Sequence, residues 1–148
     1  MADWWQWSQQ KEEEALTFAV VGVGRFGTAV CRELISNGVD VLAADYSEKA
    51  IDDLRQLEPS IEARVIDCTD EESMKESGIL EMNTVVVGIS EPIEASITTT
   101  LIAKDSEGTK VKRVIARATS DLHEKMLKRV GADTVSYTHL TLPTKRIV

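Results

Sequence analysis

Phe18-Ala19-Val20-Val21-Gly22-Val23-Gly24-Arg25-Phe26-Gly27 decides how this chain is read. Four apolar residues give way to a G-x-G-x-x-G turn, and a helical pattern follows directly. Such a glycine spacing means little alone; at a strand-to-helix junction it acquires a physical sense. Gly22 permits a tight turn, Gly24 lets the backbone approach a pyrophosphate, and Gly27 lets the helix lie close to the sheet. Phosphates would rest at the helix N-terminus, where unpaired N–H groups and the positive end of the dipole favour an anion. The next apolar run ends on an acid, Asp45, 18 residues past Gly27, where a carboxylate accepts hydrogen bonds from ribose hydroxyls. The same acid disfavours NADP, whose 2′-phosphate it would repel. The plainer alternatives are a ligand-free turn for the glycines and a surface or capping role for Asp45.

Strands and helices alternate along the rest of the chain. Strands are expected at Thr17 to Val21, Val39 to Ala44, Ala63 to Ile66, Thr84 to Ile89 and Arg113 to Ala118, with a sixth opening near Thr134 and Val135. Helices are expected from Phe26 to Asn37, from Glu48 to about Leu57, in a short stretch after Asp70, from Pro92 to about Asp105, and from Ser120 to Val130. Ser47, Asp70 and Ser120 stand at N-cap positions, and Gly38, Gly78 and Gly131 close helices. This alternation predicts an α/β, Rossmann-like doubly wound parallel sheet, strand order 3-2-1-4-5-6, with helices on both faces. The crevice for a ligand then opens at the carboxyl ends of the first and fourth strands, where the order reverses.

Composition sets bounds. The 148 residues suit one domain, and no apolar run approaches the roughly 20 residues that span a bilayer. The net charge of −8 argues against a nucleic-acid partner, whose phosphates need a basic face. Residues 48–81 hold eleven acids against four bases, and residues 104–129 hold eight bases against four acids. Two solvated faces of opposite sign, or complementary patches in self-association, both fit that split. Cys31 and Cys68 show no metal-ligand spacing and read as buried thiols in a reducing cytosol. No catalytic or metal-binding constellation stands out, although Asp70, Glu71 and Glu72 could attract a divalent cation. His123, between Leu122 and Glu124, is expected to be solvated, and Thr98-Thr99-Thr100 to serve helix surface and packing. Arg117, ending the fifth strand, is placed on the crevice side, within reach of a ligand; Tyr46 lies beside the ribose acid.

Both ends differ from this design. Residues 1–16 carry all three tryptophans, Trp4, Trp5 and Trp7, before an acidic run, and are read as a mobile N-terminal tail. Residues 17–135 form the nucleotide-binding domain. Residues 136–148 resemble the translation of a sequencing adapter and are read as a non-native tail, with the natural protein expected to continue.

Gly22-Val23-Gly24-Arg25-Phe26-Gly27, Asp67-Cys68-Thr69-Asp70, Glu94-Ala95-Ser96 and Lys128-Arg129-Val130-Gly131-Ala132-Asp133 together resemble the N-terminal domain of the RCK family, the regulators of potassium conductance. Within it the likeness is to the cytosolic gating subunits of Trk/Ktr-type bacterial potassium uptake systems, and it covers about Phe18 to Val135. The resemblance implies a non-enzymatic, cytoplasmic domain that binds ATP/ADP or NAD(H). It implies self-association to a dimer and a ring, and gating of potassium flow through a membrane channel subunit. Carried over by position, Gly22, Val23, Gly24, Arg25, Phe26 and Gly27 line the phosphates, with Arg25 reaching a terminal phosphate or solvent. Asp45 holds the ribose, Asp67, Cys68 and Thr69 border the adenine, and Ile89 and Ser90 close the crevice. The alternative is the NAD-binding domain of a dehydrogenase, against which stands the lack of any tyrosine–lysine or histidine–acid set near the crevice.

Overall fold

The computed structural model describes residues 16–137. The tails assigned to residues 1–16 and 136–148 lie outside that range, apart from Leu16, Ser136 and Tyr137. Along the described chain run β1 (Phe18–Val21), α1 (Arg25–Ser36), β2 (Val41–Asp45), α2 (Glu48–Leu57), β3 (Glu62–Val65) and α3 (Glu71–Ser77). A 3-10 turn (Ile79–Glu81) leads into β4 (Thr84–Val87), α4 (Ile93–Asp105), β5 (Arg113–Ala118), α5 (Asp121–Arg129) and β6 (Thr134–Tyr137). The strands form one parallel sheet in the order β3-β2-β1-β4-β5-β6, the order expected. β1 lies between β2 and β4, with Val21 in register with Ala44 on one side and Val87 on the other.

Successive strand residues point to opposite faces, so the apolar runs feed two cores. On one face Val20, Ala43 and Val86 pack with Cys31 of α1 and with Ile51 and Leu54 of α2. On the other, Val21, Val85 and Val114 pack with Met74, Ala103 and Leu127 of α3, α4 and α5. Both layers are needed to explain why every residue of β4 is buried. Ser47, Asp70 and Ser120 cap α2, α3 and α5 as their positions predict, accepting from the backbone N–H of Ala50, Ser73 and His123. Each cap is worth about 1 kcal/mol.

Several boundaries move by a residue or two. β2 starts at Val41 rather than Val39, because the Val39 N–H is spent on the Leu34 carbonyl at the end of α1. β4 ends at Val87, and the chain bends at Gly88 to bring Ile89 over Gly22. β6 continues through Ser136 and Tyr137, past Val135.

The helix carrying His123 corrects a larger reading. His123 is not solvated: it is fully buried, on the inner side of α5. Of the three threonines assigned to helix surface and packing, Thr99 and Thr100 are fully buried in the packing of α4 and Thr98 is half-buried.

Candidate functional site

The carboxyl ends of β1 to β4 enclose a cavity of about 610 Å³, within the usual size of small-molecule sites. The glycine turn contributes Gly22 and Gly24, and the end of β2 with the residues after it contributes Asp45, Tyr46 and Ser47. Asp67, Cys68 and Thr69 follow β3, while Gly88, Ile89, Ser90, Glu91, Pro92 and Ala95 run from β4 into α4.

The three glycines of the turn differ in what surrounds them. Gly22 has φ +91°, and a Cβ there would meet the Ile89 backbone nitrogen at 2.7 Å. A Cβ on Gly27 would run into the Gly22 carbonyl oxygen, so this glycine sets how closely α1 approaches β1. Gly24, at the N-cap of α1 with φ −74°, has no protein atom within 4 Å of a Cβ. Packing therefore gives no reason for glycine at position 24, and that position faces the cavity. Gly88 belongs with the turn: its Cβ would lie 2.7 Å from the Gly22 carbonyl oxygen. Its position directly after a run of valines was the signal available in sequence.

Asp45 ties the site together. Its Oδ2 accepts the Val23 N–H at 2.7 Å and its Oδ1 accepts the Ser47 N–H at 2.8 Å. A carboxylate has about four lone-pair positions, so each oxygen keeps one for a ligand hydroxyl. Asp67 is exposed and folds over its own loop, accepting from the Thr69 hydroxyl at 2.6 Å and the Thr69 N–H at 3.0 Å. The hydroxyl contact, with the N–H second, holds its carboxyl below the usual range. Burial pushes the Cys68 thiol up to about 12, helped by the negative charges of Asp45 and Asp67. Burial also raises Cys31 to about 12, with Glu58 adding to it. Neither sulfur is poised as a nucleophile.

Of the residues expected at the site, the structure gathers Gly22, Gly24, Asp45, Tyr46, Asp67, Cys68, Thr69, Ile89 and Ser90 around one cavity. Val23 acts through its N–H to Asp45, and its side chain belongs to the core. Phe26 packs against the α1–α2 core, Gly27 sits beneath the turn, and Arg25 is exposed at the start of α1. Arg117 is half-buried, its guanidinium 5.6 Å from the Phe26 ring centroid. Its buried Nε–H has no hydrogen-bond partner among the described residues. Ser47, Glu91, Pro92 and Ala95 also border the cavity; the sequence marks Ser47 only as a helix cap and Ala95 only as part of the family motif, and assigns neither to the site.

Among the described residues no group of His, Cys, Asp or Glu comes together as a metal site. No helix among them is long and apolar enough to cross a membrane.

Known proteins share these features. Residues 18–138 match the TrkA-N domain family. The chain is 39% identical over 118 residues to the Ktr system potassium uptake protein C of Bacillus subtilis (strain 168), covering 80% of this chain and 51% of that protein. It is 36% identical over 128 residues to the Ktr system potassium uptake protein A of Vibrio alginolyticus, covering 86% and 54%. The chain thus spans about half the length of these curated relatives. Among solved structures, the TrkA-N domain of the inner membrane protein ybaL from Escherichia coli superposes with a TM-score of 0.74 at 20% identity, covering 88% of this chain and 93% of that one. The GsuK channel bound to NAD gives 0.69 at 15% identity, covering 82% and 21%. A GsuK structure bound to ADP gives 0.66 at 15% identity, covering 82% and 31%. With the glycine turn, the acid after β2 and the sheet order all in place, this chain belongs to the TrkA-N domain family, the RCK-type domain its sequence resembles.

Proposed function

We propose that this chain is the nucleotide-sensing part of a regulatory, non-enzymatic subunit of a potassium uptake system. It holds ATP, ADP or NAD(H) in the cavity and acts on a membrane potassium channel subunit from the cytoplasmic side, as a dimer or ring of its own copies. One observation carries the reading: Gly24 faces the cavity at the start of α1, where a side chain would displace a ligand and nothing else. The spare lone pairs of Asp45 fit two ribose hydroxyls, and its charge opposes the 2′-phosphate of NADP. The N-terminus of α1 receives the phosphates, with Arg25 as the cation beside a terminal one. Asp67, Cys68 and Thr69 border the base, and Ile89 and Ser90 form the opposite wall.

Regulation requires only that the ligands differ in their preference for two arrangements of the assembly. ATP and ADP differ by one phosphate, which is the group Arg25 is placed to sense. Calorimetric titration of the chain with ATP, ADP, NADH and NADPH, repeated on Asp45→Ala, tests the reading. The expected result is binding of ATP and ADP with unequal affinity, weak binding of NADPH, and loss in the variant. Exclusive binding of NADH would move the assignment to a redox sensor or a dehydrogenase-type cofactor domain. No binding by the folded chain would overturn it.

A further inference from the structure

Two sets of buried polar contacts hold α4, one to the cavity wall and one to α5. Thr99, fully buried on α4, donates its hydroxyl to the Cys68 carbonyl at 3.0 Å, and Cys68 lines the cavity. One turn earlier on the same helix, the Ser96 hydroxyl lies 3.1 Å from His123 Nε2. The other ring nitrogen of His123, Nδ1, accepts the Thr119 backbone N–H at 3.1 Å. A backbone N–H can only donate, so Nδ1 must be bare. The imidazole is therefore neutral with its proton on Nε2, and that proton goes to Ser96. Ser96, His123 and Thr99 are all fully buried.

The placement of these groups matters more than their number. Ala95, next to Ser96, lines the cavity, as does Pro92 at the N-cap of α4. The first turn of α4 is thus a wall of the cavity, pinned to the end of β5 and the start of α5 through one imidazole. An apolar side chain would fill the same space between α4 and α5 without setting how α4 is rotated. A neutral imidazole sets it, because donor and acceptor are fixed on opposite sides of a rigid ring.

We propose that His123 is a positioning residue for the nucleotide site, holding the first turn of α4 against the cavity through its Nε2–H bond to Ser96. This rests on the reading of the cavity as a nucleotide site.

Two substitutions separate the two ring nitrogens. In His123→Gln the side-chain amide reaches the position of Nε2 and keeps a donor for Ser96 while giving up the Thr119 contact. In His123→Asn the amide oxygen takes the position of Nδ1, keeping Thr119 and losing Ser96. The full chain, His123→Gln, His123→Asn, Ser96→Ala and the Ser96→Ala/His123→Asn double variant are titrated with ATP, ADP and NADH, and thermal melts are recorded for each. His123→Asn and Ser96→Ala should each weaken nucleotide binding about three- to tenfold, the weight of one buried hydrogen bond. The double variant should be no weaker than either single one, and His123→Gln should bind within about twofold of the parent. Equal affinities for Gln and Asn variants of similar melting temperature would overturn the proposal, since packing alone would then account for His123. A multiplicative loss in the double variant would overturn it too. A parent chain that binds none of ATP, ADP and NADH would overturn the underlying site, which distinguishes that failure from this one.

Discussion

The two walls of the cavity are built from different chemistry. The glycine turn is backbone locked on backbone: Gly22, Gly27 and Gly88 are pressed together so closely that a Cβ on any of them meets main-chain atoms. The first turn of α4 is held instead by side chains, through Ser96 to His123 and through Thr99 to the Cys68 carbonyl. A wall of interlocked glycines has no intermediate setting, since one added carbon displaces a helix. A wall held by hydroxyls and an imidazole loosens one hydrogen bond at a time. The first arrangement suits a fixed receptor for phosphates, and the second suits a surface whose position a ligand can bias.

Gly27→Ala is the hardest test of the locked wall. The new methyl falls on the Gly22 carbonyl oxygen, and α1 must move off the sheet to accept it. Overpacking of this kind should cost about 3 kcal/mol of stability in urea denaturation. A variant as stable as the parent would show that the turn yields, and the contrast between the walls would fail. Gly24→Ala sharpens the same wall from its open side. The added Cβ meets no atom within 4 Å beyond its chain neighbours, so the only cost expected is that of alanine replacing glycine at an N-cap, about 1 kcal/mol. Nucleotide affinity should nevertheless drop at least about tenfold by calorimetry, because the methyl occupies the approach to the phosphates. Unchanged affinity would remove the main support for a ligand at α1.

These walls also differ in how they could be read beforehand. The glycine turn, Asp45 and the sheet order are all legible, because each depends on local chemistry. A strand-to-helix glycine spacing, an acid ending the next strand and caps at Ser47, Asp70 and Ser120 act within a few residues of themselves. Ser96 and His123 are 27 residues apart, and Thr99 and Cys68 are 31 apart. Their contacts exist only because right-handed crossovers stack α4 beside α5 and above the β3–α3 loop. His123 has polar or charged neighbours at Asp121, Glu124 and Lys125, which made its helix look solvated all round. Leu127, four residues on, is the signal that could have placed His123 inside: both are fully buried on the same side of α5. Gly88 was missed for a similar reason, since its need for glycine comes from the carbonyl of Gly22, 66 residues earlier.

Thr99→Val loosens the α4 wall by a single contact while preserving shape. The Cys68 carbonyl loses its hydroxyl donor in a buried place, a change worth about 1 kcal/mol. Chemical denaturation should show that loss, and hydrogen exchange should show faster opening at the start of α4 with α1 unaffected. Equal acceleration in both helices would mean that the walls move as one body.

The smallest effect is also specific to the α4 wall. Burial holds the His123 imidazole below its ordinary value of 6.5, and the Thr119 N–H aimed at Nδ1 works in the same direction. Well above pH 6.5 the ring is neutral in folded and unfolded chains alike, and its contribution to stability is complete. As the pH falls from there toward the lowered folded value, the unfolded chain takes up the proton first, so stability declines. Asp67, with its carboxyl held below 3.8, contributes in a separate and more acidic window, where its stabilisation is lost as pH falls through the folded value. Between pH 7 and pH 5 the urea midpoint of the parent should therefore fall more than that of His123→Gln, with His139 common to both chains. Parallel declines would place the imidazole in contact with water, and the pinned wall would lose its anchor.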